Sequence, residues 1–215
     1  MLCDVLEIQK GVTAVIGSGG KTSLICHLAQ ELQTRGSVLI CTTTKMWRPA
    51  EGECLCHTKE ETIAALKTGK TVYIGEINQQ NKLIPPAFDG WWLLADFVLV
   101  EADGAAGLPL KAHAPHEPVL PENCAKVICV VGASGIAKPI EAVAHRPDRF
   151  AALCGKKVTD TVEDRDVATV LSAEKYHDCV FINQADIVPA DTLAALIPCP
   201  VVTGSLRSAR WQKVK

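Results

Sequence analysis

One stretch near the N-terminus, residues 15–23, most constrains what this chain can fold into. It reads Val-Ile-Gly-Ser-Gly-Gly-Lys-Thr-Ser, it overlaps the end of an apolar run at 12–16, and it precedes a helical pattern at 24–32. A strand, a glycine-rich turn, a Lys-Thr pair and a helix in this order are typical of a phosphate-binding P-loop. The stretch therefore predicts an α/β domain in which the loop between a strand and a helix binds a polyphosphate.

The residue types of this stretch suit the phosphates of a nucleotide. Glycines let backbone N–H groups turn toward the phosphates, and the helix N-terminus adds the positive end of its dipole. We expect Lys21 to reach the β- and γ-phosphates and the hydroxyl of Thr22 to bind Mg²⁺. The predicted phosphate-binding residues are Gly17, Ser18, Gly19, Gly20, Lys21, Thr22 and Ser23.

One position departs from the usual P-loop pattern. Val15 stands where the first glycine is normally found, five residues before Gly20. The alternative interpretation is a glycine-rich turn that carries a surface lysine. We favour the P-loop because the strand, the loop, the Lys-Thr pair and the helix all occur in the expected order.

A second phosphate-site pattern follows the apolar run 97–100. Residues 101–104 read Glu-Ala-Asp-Gly, and an acid directly after four apolar residues is typical of a Walker-B strand. We expect Glu101 to bind Mg²⁺ directly or through water, and Asp103 to orient a water or a substrate group. The alternative for Asp103 is a capping role in a turn. The predicted catalytic residues are Lys21, Glu101 and Asp103, and the predicted metal ligands are Thr22 and Glu101.

A base-recognition pattern follows the predicted strand 178–182. Residues 183–186 read Asn-Gln-Ala-Asp and resemble the Asn-Lys-x-Asp motif of GTP-binding P-loop proteins, so Asn183 and Asp186 are candidate base ligands. A carboxylate accepts hydrogen bonds from the guanine N1–H and 2-amino group and repels the acceptor edge of adenine. Because Gln184 replaces the lysine that packs along the base, ATP and GTP both remain candidate nucleotides.

Three further segments supply candidate substrate or switch residues. Three threonines and a lysine follow the predicted strand 37–41, where open α/β sheets bind ligands. A proline-rich loop covers 104–121, and an arginine precedes a helix that begins with proline at 147. The alternatives are threonines that finish a strand, solvated loop histidines such as His113 and His116, and surface ion pairs. The candidates are Thr43, Thr44, Lys45, Lys111, His116 and Arg146.

Length and charge limit the class of protein. The chain has 215 residues, 48% of them hydrophobic, and a formal net charge of -2. We therefore predict a single P-loop NTPase-like domain over 1–215, with loop excursions at 76–90 and 104–121. This charge gives no sign of a nucleic-acid or membrane partner. Since no apolar run reaches the ~18 residues of a membrane span and no export signal is present, we expect a soluble, cytoplasmic protein.

Ten cysteines are present, and several lie in apolar runs that read as buried strands. We expect reduced thiols that pack as small core residues. Cys54, Cys56 and His57 form the one cluster that resembles a metal site. Their spacing is poor for zinc, so we expect a partly exposed loop there.

The apolar and helical patterns together predict a three-layer α/β fold with a mostly parallel sheet. The predicted strands are 12–16, 37–41, 71–74, 97–100, 126–131, 178–182 and 200–203. The predicted helices are 22–34, 59–67, 161–171 and 191–196.

Taken together, these motifs resemble the YqeC family of P-loop proteins, which is associated with selenium-dependent molybdenum hydroxylases. The resemblance covers roughly residues 5–205 and rests above all on Glu-Ala-Asp-Gly at 101–104 and Leu-Pro-Leu-Lys-Ala at 108–112. The P-loop, Thr-Thr-Thr-Lys at 42–45, His-Glu-Pro-Val at 116–119, Arg146-Pro147 and the turn at 183–186 extend it. At the level of the P-loop alone, the chain is also similar to metallochaperone GTPases and dethiobiotin-synthetase-like ATPases.

The resemblance implies an accessory NTPase that helps to mature a selenium-containing molybdenum enzyme. Its implied cofactors are Mg²⁺ and ATP or GTP, and its implied partners are the hydroxylase or the proteins that mature its cofactor. A small-molecule kinase that phosphorylates a selenium or cofactor precursor is a close variant. The alternatives are a non-catalytic, nucleotide-gated binding protein or chaperone, and a P-loop scaffold without activity.

Overall fold

The computed structural model describes all of residues 1–215 and shows an α/β fold whose main strands pair mostly in parallel. The predicted fold class is confirmed. The strands are β1 (Gly11–Gly17), β2 (Val38–Thr42), β3 (Met46–Trp47), β4 (Cys54–Cys56), β5 (Val72–Ile74), β6 (Glu76–Ile77), β7 (Lys82–Ile84), β8 (Phe97–Glu101), β9 (Leu110–Lys111), β10 (Cys124–Gly132), β11 (Ala144–His145), β12 (Cys179–Asn183), β13 (Val201–Ser205) and β14 (Arg210–Lys213). The α-helices are α1 (Leu2–Val5), α2 (Lys21–Leu32), α3 (Lys59–Leu66), α4 (Ile140–Val143), α5 (Pro147–Cys154), α6 (Asp164–Glu174) and α7 (Asp191–Leu196).

All of the predicted strands and helices are present, with ends that differ by no more than three residues. The elements that the sequence patterns did not predict are mostly two to four residues long, too short to show a period. The loop predicted around Cys54 and Cys56 is wrong, because these residues form β4 and pair in parallel with β5. All ten cysteines are free thiols. None of the helices is long and apolar enough to cross a membrane.

The chain divides into two compact units. Unit 1 contains Met1–Val15, Thr22–Gly104 and Val119–Lys126, and unit 2 contains Ile16–Lys21, Ala105–Pro118 and Val127–Lys215. The single domain over 1–215, with excursions at 76–90 and 104–121, stays a prediction.

Within unit 1, the strands follow the order β1-β8-β2-β5-β4, and each neighbouring pair is parallel. β8 and β2 are buried along their whole length, which explains why both read as continuous apolar runs in the sequence. A small antiparallel sheet, β3-β7-β6, is built from residues 46–84.

Within unit 2, the strands follow the order β10-β12-β13-β14. The first two pairs are parallel, and β14 returns antiparallel to β13. A second, two-stranded sheet joins β9 to β11 and places Lys111 opposite His145. The proline-rich segment that holds β9 is therefore tied to the chain before α5.

Candidate functional site

Glu101 lies at the carboxyl end of β8 and is only 6% exposed. The strand register places it between Val15 of β1 and Thr42 at the end of β2. Thr22, the second residue of α2, donates a hydrogen bond from Oγ1 to Glu101 Oε2 over 2.7 Å. Hydroxyl and carboxylate oxygens are ligands that Mg²⁺ accepts in proteins, so this pair of donors fits the metal.

The threonine segment after β2 is held against the same strand end. Thr42 Oγ1 donates to the Glu101 carbonyl over 2.7 Å and accepts from the Thr44 amide over 3.0 Å. Thr43 donates through its amide to the Glu101 carbonyl and through Oγ1 to the Val119 carbonyl, over 3.2 and 2.6 Å. The sequence marked Thr42 as one of three threonines that follow a strand, and the structure adds the two hydrogen bonds of its hydroxyl. Thr44 Oγ1 is buried and has no hydrogen-bond partner.

Asp103 and Lys45 lie on the two turns that leave these strands. Asp103 is fully buried, and a buried carboxylate is stable only with hydrogen bonds or a cation beside it. Lys45 is exposed, and its Nζ lies 3.5 Å from Gln80 Oε1. Asp103 is therefore in the interior of unit 1, whereas Lys45 faces solvent.

The P-loop residues of unit 2 form a tight turn after β1. Ser18 donates through its amide to the Val130 carbonyl over 2.8 Å, and its hydroxyl donates to the Leu108 carbonyl. Lys21 is 5% exposed, and its ammonium donates to the Gly17 carbonyl over 2.9 Å. Ser23, two residues further along α2, is exposed. The lysine ammonium is thus folded back over its own loop.

Two glycines of the loop have no room for a side chain. Gly19 and Gly20 have φ angles of 88° and 128°, in the region that favours glycine. A Cβ on Gly19 would lie 2.5 Å from the Cα of Gly132, and a Cβ on Gly20 would lie 2.5 Å from Asn183 Nδ2. The loop shape therefore depends on glycine at both positions.

Asn183, at the end of β12, supports the loop with both ends of its amide. Its Nδ2 donates to the Gly19 carbonyl over 2.8 Å, and its Oδ1 accepts from the Leu206 amide over 3.0 Å. Gln184 accepts from the Ser134 hydroxyl over 2.6 Å. Asp186 is exposed in the turn that follows. Of the two candidate base ligands, Asn183 bonds the polypeptide and Asp186 faces solvent.

A charged cluster ties the proline-rich segment to the start of α5. Glu117 Oε2 lies 3.0 Å from Lys111 Nζ and 2.9 Å from Arg146 Nη2. Burial raises the pKa of Glu117, but hydrogen bonds from the two cations outweigh it, so the pKa lies below its ordinary value. Lys111 is buried within unit 2 and His116 is exposed.

A model of the family described as YqeC protein matches residues 13–148, which include the P-loop, Glu101 and the Lys111–Glu117 pair. The chain belongs to the YqeC family. It is 33% identical over 171 residues to "Uncharacterized protein YqeC" of Escherichia coli (strain K12). That alignment covers 74% of this chain and 67% of its relative.

One expectation about this YqeC-family protein is wrong: His113 is not a solvated loop residue. It is 2% exposed, and both its amide and its Nδ1 lie 2.6 Å from the Glu174 carboxylate. Its ring packs edge-on against Tyr176 with centroids 5.6 Å apart. The sequence carried no signal of this, because α6 supplies Glu174 from 61 residues away.

Proposed function

We propose that this YqeC-family protein binds a Mg²⁺–nucleotide through residues 17–23 and Glu101, and that it hydrolyses the nucleotide or transfers its terminal phosphoryl group. The observation that carries the proposal is the 2.7 Å hydrogen bond from Thr22 Oγ1 to Glu101 Oε2. P-loop NTPases hold Mg²⁺ with the hydroxyl after the loop lysine and with an acid at a strand end. Thr22 directly follows Lys21 in the chain, and Glu101 ends a strand.

Each residue then has a defined task in phosphoryl transfer, which depends on positioning and charge neutralisation. Lys21 leaves the Gly17 carbonyl and binds the β- and γ-phosphates. Thr22 and Glu101 hold the metal, which neutralises charge on the phosphates when it is bound. Asp103 orients a water or an acceptor group. The buried Thr44 hydroxyl, which has no hydrogen-bond partner, is available to a phosphate oxygen.

The biological setting follows from the family resemblance. The protein acts in the maturation of selenium-dependent molybdenum hydroxylases, and its partners are the hydroxylase or the proteins that mature its cofactor. The nucleotide is ATP or GTP, and Asp186 is the residue that would favour guanine. If the protein is a small-molecule kinase, it turns over only in the presence of a second substrate.

A second candidate function is a nucleotide-gated binding protein, for example a chaperone for the hydroxylase. The observation that favours it is the 2.6 Å hydrogen bond from Thr43 Oγ1 to the carbonyl of Val119, which lies in the loop 104–121. A phosphate that moves the threonine segment would therefore also move Val119, which lies near the end of that loop. Slow hydrolysis that a partner protein accelerates would favour this function over an enzyme that works alone.

Calorimetric titration with Mg·ATP and with Mg·GTP tests the nucleotide proposal. The full chain is compared with Lys21→Ala, with Asp186→Ala and with the exposed-lysine control Lys59→Ala. We expect the unaltered chain to bind one nucleotide with micromolar affinity. Lys21→Ala should lose that binding, and Lys59→Ala should keep it. If GTP is the nucleotide, Asp186→Ala removes the preference for it over ATP. Failure of the unaltered chain to bind either nucleotide below about 1 mM, an affinity of roughly 4 kcal/mol, would overturn the proposal.

A further inference from the structure

An exposed tryptophan lies on the outer face of the small sheet in unit 1. Trp47 of β3 is 64% exposed and pairs directly with Lys82 of β7. The neighbouring pair, Met46 and Leu83, is 2% and 0% exposed. Because side chains alternate along a strand, Met46 and Leu83 point inward, whereas Trp47 and Lys82 share the outward face.

Lys82 links this tryptophan to the predicted metal ligands. Its ammonium lies 2.7 Å from the centroid of the Trp47 ring, a cation–π contact. Burial lowers the pKa of Lys82, and the Glu101 carboxylate opposes that shift. The ammonium is therefore within electrostatic range of the carboxylate that accepts the hydrogen bond from Thr22.

Two further cations lie within two residues of Trp47 in the chain, and both bond neutral amide groups. Lys45 Nζ lies 3.5 Å from Gln80 Oε1, and Arg48 Nη1 lies 3.1 Å from Asn81 Oδ1. Both side chains are exposed. On the same outward face, the acid Glu76 pairs with His57 at 3.3 Å. The surroundings of Trp47 are therefore rich in positive charge that an anion can approach.

We propose that Trp47 and Lys82 bind the second substrate of this protein, and that this substrate is a planar aromatic ring that carries a phosphate. The ring stacks on the indole, and the phosphate binds Lys82 together with Lys45 or Arg48. A solvent-exposed indole offers a stacking surface, and flexible cations around it suit a doubly charged phosphate. The role as second substrate rests on the nucleotide site proposed above.

The test uses 1-naphthyl phosphate as the probe and calorimetry on the full chain saturated with Mg·ATP or Mg·GTP. Two matched probes separate the contribution of ring stacking from that of phosphate binding. 1-Naphthol has the ring without the charge, and ribose 5-phosphate has the charge without the aromatic ring. We expect binding of 1-naphthyl phosphate, and binding at least about fivefold weaker for each of the other two, as stacking on an aromatic side chain normally requires.

Substitutions then locate the binding. Trp47→Leu and Lys82→Met each weaken 1-naphthyl phosphate at least about fivefold, whereas Trp47→Phe, which keeps a ring, retains most of the affinity. Because Trp47 is largely exposed, these variants should unfold at the temperature of the unaltered chain. Equal affinity in Trp47→Leu, or no binding of the probe by the unaltered chain below about 5 mM, overturns the proposal.

The two proposals fail in different ways. In Trp47→Leu, the affinity for Mg·ATP and Mg·GTP alone stays unchanged if both proposals hold. Probe binding that survives Trp47→Leu but disappears in Lys21→Ala would place the probe on the P-loop and remove the aromatic subsite. Probe binding that depends on Trp47 in a chain that binds no nucleotide would remove the nucleotide site and, with it, the role of the ligand as a second substrate.

Discussion

Thr22 and Glu101 lie 79 residues apart in the sequence, and a 2.7 Å hydrogen bond joins the hydroxyl of one to the carboxylate of the other. The hydroxyl belongs to the first turn of α2, and the carboxylate ends β8. A carboxylate that accepts from a hydroxyl here presents two oxygen ligands of the type that Mg²⁺ binds. The contact brings together the P-loop and the acid at the end of β8, two motifs that are separate in the sequence. It therefore supports the proposal of a Mg²⁺–nucleotide site.

Replacing the carboxylate should separate metal binding from nucleotide binding. In Glu101→Gln the side chain keeps its size, but the negative charge that would bind Mg²⁺ is gone. We expect the gain in nucleotide affinity that Mg²⁺ provides to fall at least tenfold, about 1.4 kcal/mol. Titrations with and without EDTA measure that gain. Glu122→Gln, at an exposed position, is the control, and an undiminished effect of Mg²⁺ in Glu101→Gln would contradict the assignment.

The amide of Asn183 should stabilise the loop. Asn183→Ala removes hydrogen bonds to the Gly19 carbonyl and the Leu206 amide, each typically worth about 1 kcal/mol. We expect the free energy of unfolding in urea to fall by about 2 kcal/mol and the nucleotide affinity to fall with it. Asn183→Asp keeps the acceptor for Leu206 but turns a carboxylate oxygen toward the Gly19 carbonyl oxygen, so it should destabilise the loop at least as much as Asn183→Ala. A loss of stability no greater than that of Asn123→Ala, at an exposed position, would show that these contacts contribute little.

The shape of the P-loop should not tolerate even one added carbon at Gly20. A Cβ there would lie 2.5 Å from Asn183 Nδ2, and the backbone φ is 128°. Gly52 is the matched control, since its φ is 90° and nothing lies within 4 Å of an added Cβ. Both alanine variants carry backbone strain of about 1 kcal/mol, but only Gly20→Ala also clashes. We expect Gly20→Ala to lose nucleotide binding while Gly52→Ala keeps it, and equal binding by the two would contradict the loop geometry.

Acid should remove a stabilising contribution of Asp96. Hydrogen bonds from Lys10 and then from the amide and hydroxyl of Ser37 outweigh burial and lower the pKa of Asp96 from 3.8 to about 2. Because the pKa is lower in the folded chain, this stabilisation is complete above pH 3.8 and is lost as the pH falls through about 2.

Urea unfolding of Asp96→Asn at several pH values checks this sign. We expect the variant to be less stable than the unaltered chain at pH 7 and the difference to shrink between pH 4 and pH 2. Asp89→Asn, at an exposed position, should show no such trend. A difference that stays constant or grows on acidification would assign the role of Asp96 to something other than its charge.

The strands and longer helices were predictable because their signals are local. β8 is buried along its whole length, so its residues read as an apolar run whatever they contact. Short elements gave no such signal. β4 was mistaken for a loop because three residues, Cys-Leu-Cys, show no period, and only pairing with β5 makes them a strand.

In the candidate site, too, residues in local motifs were predictable and contacts between distant residues were not. The sequence placed Lys21, Thr22 and Glu101 in named motifs, since those motifs are defined by neighbours in the chain. It marked Thr42 only as one of three threonines after a strand, and it did not show that the Thr42 hydroxyl bonds the Glu101 carbonyl and the Thr44 amide. It gave no role to Trp47, because the contact with Lys82 depends on pairing between β3 and β7.

The sequence by itself determined the α/β class, the glycine-rich loop between β1 and α2, and the acid at the end of β8. Those features follow from backbone freedom, hydrophobic period and chain neighbours, which are properties of short segments. Only the tertiary structure decided that Thr22 bonds Glu101, that Asn183 supports Gly19, and that His113 is buried against Glu174. Strand order and packing set these partners, because they bring together side chains that lie tens of residues apart.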